Sequence, residues 1–252
     1  MAAPLVKVIV ATEGGKLVKH AALALLSLIV AVLVIVVGGL TALTGLVFGL
    51  TGASANEAGG GCFYRLPAGQ SITITRESGD WTLSADQIET AAGLAAGALQ
   101  VGATDRELAL VLGAAMQESS LRILANEMLP ESLQAHHHAT ATPTTADGSP
   151  VDTLGPLQQR PSAGWGSIAQ LMRVEYAATA FIGGTTGPNG GSPRGLRDIE
   201  GLGAMGFADA IEAVQISGEP EHYGKWEADA TRLAAELKRL GDLSCAAGGG
   251  LA

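Results

Sequence analysis

The chain contains few aromatic residues, few cysteines and no concentrated positive charge. Aromatic residues make up 4% of its 252 residues, and the 15 Lys and Arg residues are scattered. Against 24 Asp and Glu residues they leave a net charge of −9. A nucleic-acid-binding protein typically carries a basic patch or stripe, so this charge balance argues against that class. We therefore expect no nucleic-acid partner.

Only two cysteines are present, Cys62 and Cys245. They fit neither a metal-ligand spacing nor a Cys-x-x-Cys redox motif. Because they flank the candidate domain, a disulfide between them would join its two ends. In an oxidising compartment such a bond is stable, and the chain-entropy model gives it on the order of 5 kcal/mol. We predict this disulfide; the alternative is two unpaired thiols.

Charged residues are absent between Ala21 and Asn56, and residues 21–50 are almost wholly apolar. About 20 such residues suffice to cross a bilayer, so we predict a transmembrane helix over 21–50. The head, residues 1–20, carries Lys7, Lys16 and Lys19 against one acid. Basic residues before the helix place the head in the cytoplasm and the rest of the chain outside the cell.

Two fates of this helix after export remain open. Ala53-Ser54-Ala55 matches the small-residue pattern of a signal-peptide cleavage site. However, the apolar stretch is roughly twice as long as the usual hydrophobic region of a signal peptide. The length favours a retained anchor and a single-pass membrane protein.

Beyond the membrane helix the composition predicts a linker, a mainly helical domain and a tail. Residues 51–80 are interpreted as a flexible linker with a short extended segment, Ser71–Thr75, and residues 246–252 as a Gly-rich flexible tail. Residues 81–245 form the candidate domain. Capping boxes at Ser84–Gln87 and Thr104–Glu107 predict its first two helices. Further helices are predicted over 168–181, 208–216 and 226–240, with a long polar insert at 125–153.

Glu118 ends the second of these helices. Counting back by helical steps reaches Ala115, Ala114 and Val111, which places the carboxylate beside the packed face. Desolvation disfavours the charged form and raises the pKa of a carboxyl group. A proton held near neutral pH is what a general acid needs to cleave a glycosidic bond. The alternative is a helix-end glutamate that reaches solvent or Arg122.

Four separated segments follow one another in a recognisable order. They are Gln117-Glu118-Ser119, then Gly155–Pro161 (Gly-Pro-Leu-Gln-Gln-Arg-Pro), then Ala213-Val214-Gln215 and Tyr223-Gly224-Lys225-Trp226. Together they resemble the soluble lytic transglycosylase family of lysozyme-like domains, in particular an actinobacterial branch with a Gln-Gln-Arg-Pro-Ser-x-Gly-Trp-Gly string. The resemblance covers about residues 82–245 and implies a lysozyme-like helical fold.

The resemblance implies cleavage of the β-1,4 bond between N-acetylmuramic acid and N-acetylglucosamine in peptidoglycan, without a cofactor. Glu118 matches the catalytic glutamate, which acts as acid and then as base and leaves a 1,6-anhydro product. Ser119 and Gln158 match positions that line the site. Tyr223 matches a tyrosine near the glutamate. Gln215 keeps an amide that can hold an N-acetyl group.

The sequence departs from the family pattern at two motifs. Pro156 stands where Leu is usual, and Val214-Gln215 replaces Tyr-Asn. A second carboxylate would turn the enzyme into a hydrolytic muramidase, since two-carboxylate glycosidases use one as nucleophile or base. Asp152 and Asp147 are the candidates for that role. The alternative that we favour makes both of them aspartates of solvated turns.

His136-His137-His138 raises the question of a metal, because neutral imidazole binds zinc. Adjacent side chains in a loop do not converge by themselves, so we expect no metal site. The insert is predicted to be a mobile flap or spacer beside the cleft.

The sequence therefore predicts a membrane-anchored enzyme that cleaves peptidoglycan glycan strands. Its anchor suits local opening of the wall, for example for a secretion or conjugation apparatus. Two alternatives remain open: a non-catalytic cell-wall-binding module on the same fold, and one part of a longer bifunctional hydrolase.

Overall fold

The computed structural model describes residues 62–76 and 78–245. The predicted head, transmembrane helix, cleavage pattern and tail lie outside these residues. Within the described part of the chain, no helix is both long enough and apolar enough to cross a membrane. All described residues belong to a single compact unit.

The described residues form a mainly helical domain, as predicted. Its seven α-helices are α1 (Ala85–Gln100), α2 (Asp105–Ser119), α3 (Ile168–Leu171), α4 (Val174–Ile182), α5 (Phe207–Gln215), α6 (Glu221–Gly224) and α7 (Glu227–Leu240). Short strands accompany them: β1 (Cys62–Arg65), β2 (Thr73–Ile74), β3 (Trp81–Thr82), β4 (Leu124–Asn126), β5 (Ala139–Ala141) and β6 (Asp242–Cys245).

Both predicted capping boxes are present. Ser84 Oγ accepts from the Gln87 amide, and Gln87 Oε1 accepts from the Ser84 amide. Thr104 and Glu107 make the same reciprocal pair at the start of α2. Each pair satisfies two amides that would otherwise lack partners at a helix start. The two boundaries are therefore set by local sequence.

Helix α2 runs through the core. Its predicted apolar face is confirmed, because Leu108, Val111, Leu112 and Ala115 are fully buried. The face packs mainly against α7, and α1 packs against α4. Glycines allow the closest approaches: a Cβ at Gly97 would overlap the backbone carbonyl of Glu175.

The single helix predicted over 168–181 is wrong. The chain forms α3 and α4 instead, and between them Arg173 adopts an extended conformation with φ −91° and ψ 116°. The break lets the first turn of α4 press its backbone against Gly97 of α1. This contact is tertiary, so helical periodicity alone could not reveal it.

The first and last strands join the two ends of the described chain. β1 pairs antiparallel with β6 and sets Cys62 directly opposite Cys245. Opposed antiparallel residues have Cα atoms about 4.5–5.5 Å apart, a separation that a disulfide can span. The disulfide itself stays a prediction. The extended segment predicted at Ser71–Thr75 contains β2, which pairs with β3, and its Ile72 and Ile74 are buried in the core.

The insert 125–153 contains regular structure. β4 and β5 form a parallel pair, and a 3-10 turn spans Ser132–Gln134. Asn126 is fully buried and donates to the carbonyls of Val151 and Thr153. These bonds tie the end of the insert to its beginning, and the mobile flap or spacer stays a prediction.

We predict that Gly97→Ala destabilises the domain. The added methyl group would overlap backbone, which cannot rotate away, so overpacking costs about 1–3 kcal/mol. That cost opposes the gain of up to about 1 kcal/mol expected from helix propensity. Chemical denaturation measures the change. Gly203→Ala is the control, because a Cβ there meets no atom within 4 Å. Equal stability of the two variants would contradict the close approach.

Candidate active site

Glu118 is the penultimate residue of α2 and is half-buried. The helix ends abruptly after it, because Ser120 and Leu121 both have left-handed backbones with φ 54° and 57°. The amide of Leu121 bonds the Ala115 carbonyl at 3.0 Å, which closes the last turn. The chain thus turns away and leaves the carboxyl group at the end of the packed helix.

Tyr223 in α6 is the hydrogen-bond partner of this carboxyl group. Its hydroxyl donates to Oε1 of Glu118 at 2.6 Å, and its side chain is almost completely buried. Burial and the nearby Glu118 charge raise the pKa of the phenol far above its usual value. Tyr223 therefore stays protonated and acts as a donor to Glu118.

The pKa of Glu118 is raised above its ordinary value. Burial is the largest cause, and the negative charge of Glu212 adds to it. The hydrogen bond from Tyr223 acts in the opposite direction, because it favours the ionised form. The direction is the one expected for a carboxyl group beside an apolar wall. Such a group can hold a proton that it later releases.

Ser119 fastens the helix end to the next motif. Its hydroxyl lies 2.8 Å from the Pro156 carbonyl and 3.1 Å from the Ala115 carbonyl. It also accepts from the backbone amide of Arg122 at 3.1 Å. Ser119 is buried. Its bonds therefore hold the framework under Glu118, whereas the resemblance implied a position lining the site.

The glutamine loop, residues 154–159, is held in shape by hydrogen bonds of the Gln158 side chain. Gln158 has a left-handed backbone, φ 49°, and its Nε2 donates to the Gly155 carbonyl at 2.9 Å. Its Oε1 accepts from the Thr153 hydroxyl at 3.1 Å. Gln158 is half-buried. Its amide thus shapes its own loop.

Gln215 connects α5 to the same loop. Its Nε2 donates to the Leu157 carbonyl at 3.0 Å, so this amide group holds backbone. Glu118, Ser119, the glutamine loop, Gln215 and Tyr223 are thereby brought together, as the motif order predicts. Most of the hydrogen bonds among these residues bind backbone carbonyls of the glutamine loop and so hold the loop in position.

Asp152 is held in a separate turn. Its carboxylate accepts from Arg160 Nε at 2.9 Å and from the amide and hydroxyl of Ser162 at 2.8 and 2.9 Å. Burial acts to raise its pKa, but these bonds outweigh it and hold the pKa below the usual range. Asp147 likewise accepts from Thr145 and Ser149 within an exposed turn. Both sets of hydrogen bonds agree with the alternative that Asp152 and Asp147 are aspartates of solvated turns.

Glu212 is the acidic residue that sequence reasoning missed. It lies in α5, and its oxygens accept from the Ser217 hydroxyl and, at 2.6 Å, from the Gly218 amide. Its charge raises the pKa of both Glu118 and Tyr223. The one available signal was its spacing, three residues before Gln215 on one side of a predicted helix.

Trp226 contacts the residue that precedes Glu118 and also packs near a second tryptophan, Trp81. Trp226 Nε1 donates to Oε1 of Gln117 at 2.9 Å, next to Glu118 in sequence. The Trp226 ring lies 6.3 Å from that of Trp81, and the Arg76 guanidinium lies 4.2 Å over Trp81. Trp165, in the string that follows the glutamine loop, is buried.

Backbone strain concentrates at the same motifs. Among the described residues, the non-glycine residues with positive φ are Ser120, Leu121, Gln158 and Ile216. The first two follow Glu118-Ser119, the third lies in the glutamine loop, and the fourth follows Gln215. A left-handed conformation costs an L-residue roughly 1–2 kcal/mol, and such strain tends to occur at functional sites.

The histidines converge, contrary to the sequence prediction. Ligand atoms of Glu89, His136 and His138 lie within 4.8 Å of one another. The two histidines reach opposite oxygens of Glu89 through Nε2, at 2.8 and 3.3 Å. Helix α1 supplies Glu89, and the fold brings the insert against it. The non-convergence argument therefore fails for two of the three residues.

Hydrogen-bond polarity nevertheless distinguishes this cluster from a metal site. The backbone amide of Ile123 donates to His138 Nδ1 at 3.1 Å. A neutral imidazole has one acceptor nitrogen, so Nε2 carries the proton and donates to Glu89. Metal ligation through Nε2 would move that proton to Nδ1, where it would oppose the Ile123 amide. The hydrogen bonds of His136 and His138 to Glu89 therefore serve to attach the insert to α1.

Comparison with known proteins adds no relative: a scan against protein families finds no match, and neither does a search of curated proteins. Assignment of a function consequently rests on the motifs and on the geometry above.

We predict opposite pKa changes at Glu118 in two variants. Tyr223→Phe removes a donor to the carboxylate and raises the pKa further, whereas Glu212→Gln removes a like charge and lowers it. NMR titration of the Glu118 side-chain carboxyl measures both. Glu200→Gln, at an exposed position, is the control. Shifts of the same sign in both variants would refute this electrostatic account.

Proposed function

We propose that this domain is a peptidoglycan lytic transglycosylase that cleaves the bond between N-acetylmuramic acid and N-acetylglucosamine. The proposal rests on the carboxyl group of Glu118, which is half-buried and accepts a hydrogen bond from Tyr223 through Oε1. The pKa of this carboxyl group is raised above its ordinary value. General acid catalysis requires a group with these properties. The lysozyme-like motif order supplies the substrate class.

The proposed reaction uses one carboxyl group twice. Because Tyr223 occupies Oε1, Oε2 carries the proton and gives it to the leaving glycosidic oxygen as the C1–O bond breaks. The carboxylate then takes the proton of the muramic 6-hydroxyl, whose oxygen bonds to C1. The products are a 1,6-anhydromuramic end and a free 4-hydroxyl group, and Glu118 is protonated again.

The environment of Asp152 does not favour its use as the second carboxylate of a hydrolase. A hydrolytic muramidase would need a second carboxylate to activate water or to attack the sugar. Asp152 accepts from three donors, and its lowered pKa makes it a weak base. A muramidase that uses Asp152 as this second carboxylate therefore has less support from these contacts than the proposed reaction.

The proposed setting follows from the sequence. A helix over residues 21–50 would anchor the domain to the cell membrane, with the domain outside and peptidoglycan within reach. A Cys62–Cys245 disulfide, compatible with the β1–β6 pairing, would then close its base. Wall opening for a secretion or conjugation apparatus is a use that this placement suits.

We predict that Glu118→Gln abolishes cleavage. Gln keeps the shape and can accept from Tyr223 but cannot donate an acidic proton, so clearing of purified cell walls should fall at least about 10²- to 10⁴-fold. Turbidity of a wall suspension measures the rate, and Glu200→Gln is the matched control. Equal clearing by wild type and Glu118→Gln would exclude Glu118 as the acid. No clearing by any variant would support the wall-binding module instead.

Product analysis gives a second prediction. Muropeptides released from purified peptidoglycan should end in 1,6-anhydromuramic acid, because the 6-hydroxyl and not water attacks C1. Mass spectrometry distinguishes this end from a reducing end by the mass of one water. Release of reducing ends alone would make the enzyme a muramidase.

A further inference from the structure

Ile216 combines two unusual properties. Its side chain is 76% exposed, and its backbone is left-handed with φ 53° and ψ 46°. Helices commonly end at a left-handed residue, but that residue is usually Gly or Asn. A β-branched residue in this conformation is a genuine outlier. Neither burial nor backbone preference therefore accounts for an isoleucine at this place.

The position of Ile216 is fixed from both sides. Its amide bonds the Glu212 carbonyl at 2.8 Å, and its neighbour Gln215 holds the glutamine loop through Leu157. On the other side, Ser217 and Gly218 bond the Glu212 carboxylate. These contacts fix the backbone of Ile216 directly after the residue that binds the glutamine loop.

The amides nearby are partly engaged. One N–H of the Gln158 amide bonds the Gly155 carbonyl and one N–H of the Gln215 amide bonds the Leu157 carbonyl, which leaves each amide a single N–H for a sugar. N-acetylated sugars also present apolar surface, namely the C–H groups of the ring and the acetyl methyl group. An exposed, rigidly held isoleucine is suited to contact that surface.

We infer that Ile216 is a substrate-contacting residue that binds the apolar face of an N-acetylated sugar beside the glutamine loop. The inference rests on the proposed function for the identity of the ligand. In this inference an apolar contact supplies part of the sugar binding that the resemblance assigns to the Gln215 amide.

The inference predicts opposite effects on stability and on binding. Ile216→Gly removes the strain, so the melting temperature should rise by about 2–4 °C, the shift typical of a modest stabilisation in a domain of this size. It also removes the apolar contact, so affinity should fall about tenfold. Ile216→Asn should behave alike, because Asn tolerates the left-handed conformation but is polar. Ile216→Val keeps both strain and apolar surface and is the matched control.

Isothermal titration calorimetry with a soluble β-1,4-linked N-acetylglucosamine oligomer tests this, with each variant combined with Glu118→Gln to prevent turnover. Weaker binding by the Gly and Asn variants, with affinity kept in the Val variant, supports the inference. Unchanged affinity in the Gly and Asn variants overturns it. Equal loss in the Val variant also overturns it, because the apolar surface is then not what binds.

The outcome is separable from that of the proposed function. On cell walls with Glu118 intact, Ile216→Gly should raise KM with little change in kcat, since it removes binding common to ground and transition states. A normal KM while Glu118→Gln is inactive would overturn the role of Ile216 alone. Wall clearing that persists in Glu118→Gln would overturn the proposed acid, whatever Ile216 does.

Discussion

The hydrogen bond from Tyr223 to Glu118 organises the candidate site, because it fixes one carboxyl oxygen at the end of a packed helix. Tyr223 is buried and keeps its proton, so it donates to Glu118 in either protonation state of the carboxyl. Burial and Glu212 favour the neutral acid, while Tyr223 favours the ionised one. A group balanced between these effects can give up a proton and recover it.

Several polar side chains around this hydrogen bond bind backbone carbonyl groups and so hold the chain in position. Ser119 fastens Pro156, and Gln215 fastens Leu157, so two adjacent residues in the middle of the glutamine loop are tied to helices. Asp152 closes the turn beyond the loop with Arg160 and Ser162. The strained residues flank these same attachments, which is consistent with a framework that is rigid for a functional reason.

Features set by local sequence were predictable, and features set by tertiary contact were not. The capping boxes and the buried face of α2 depend on residues three or four apart, so their pattern could be recognised. The break at Arg173, the role of Glu212 and the convergence of His136 and His138 on Glu89 depend on distant segments meeting. Motif order predicted which residues gather at the site, but it did not reveal that several of them would bind backbone.

A crystal structure of the Glu118→Gln variant with a peptidoglycan oligosaccharide would test the central claim most directly. The account predicts a glycosidic oxygen within about 3.2 Å of the residue-118 side-chain atom that does not contact Tyr223. It also predicts the muramic 6-hydroxyl on the same side. A glycan bound elsewhere on the domain, with this side chain facing away from every glycosidic oxygen, would contradict it.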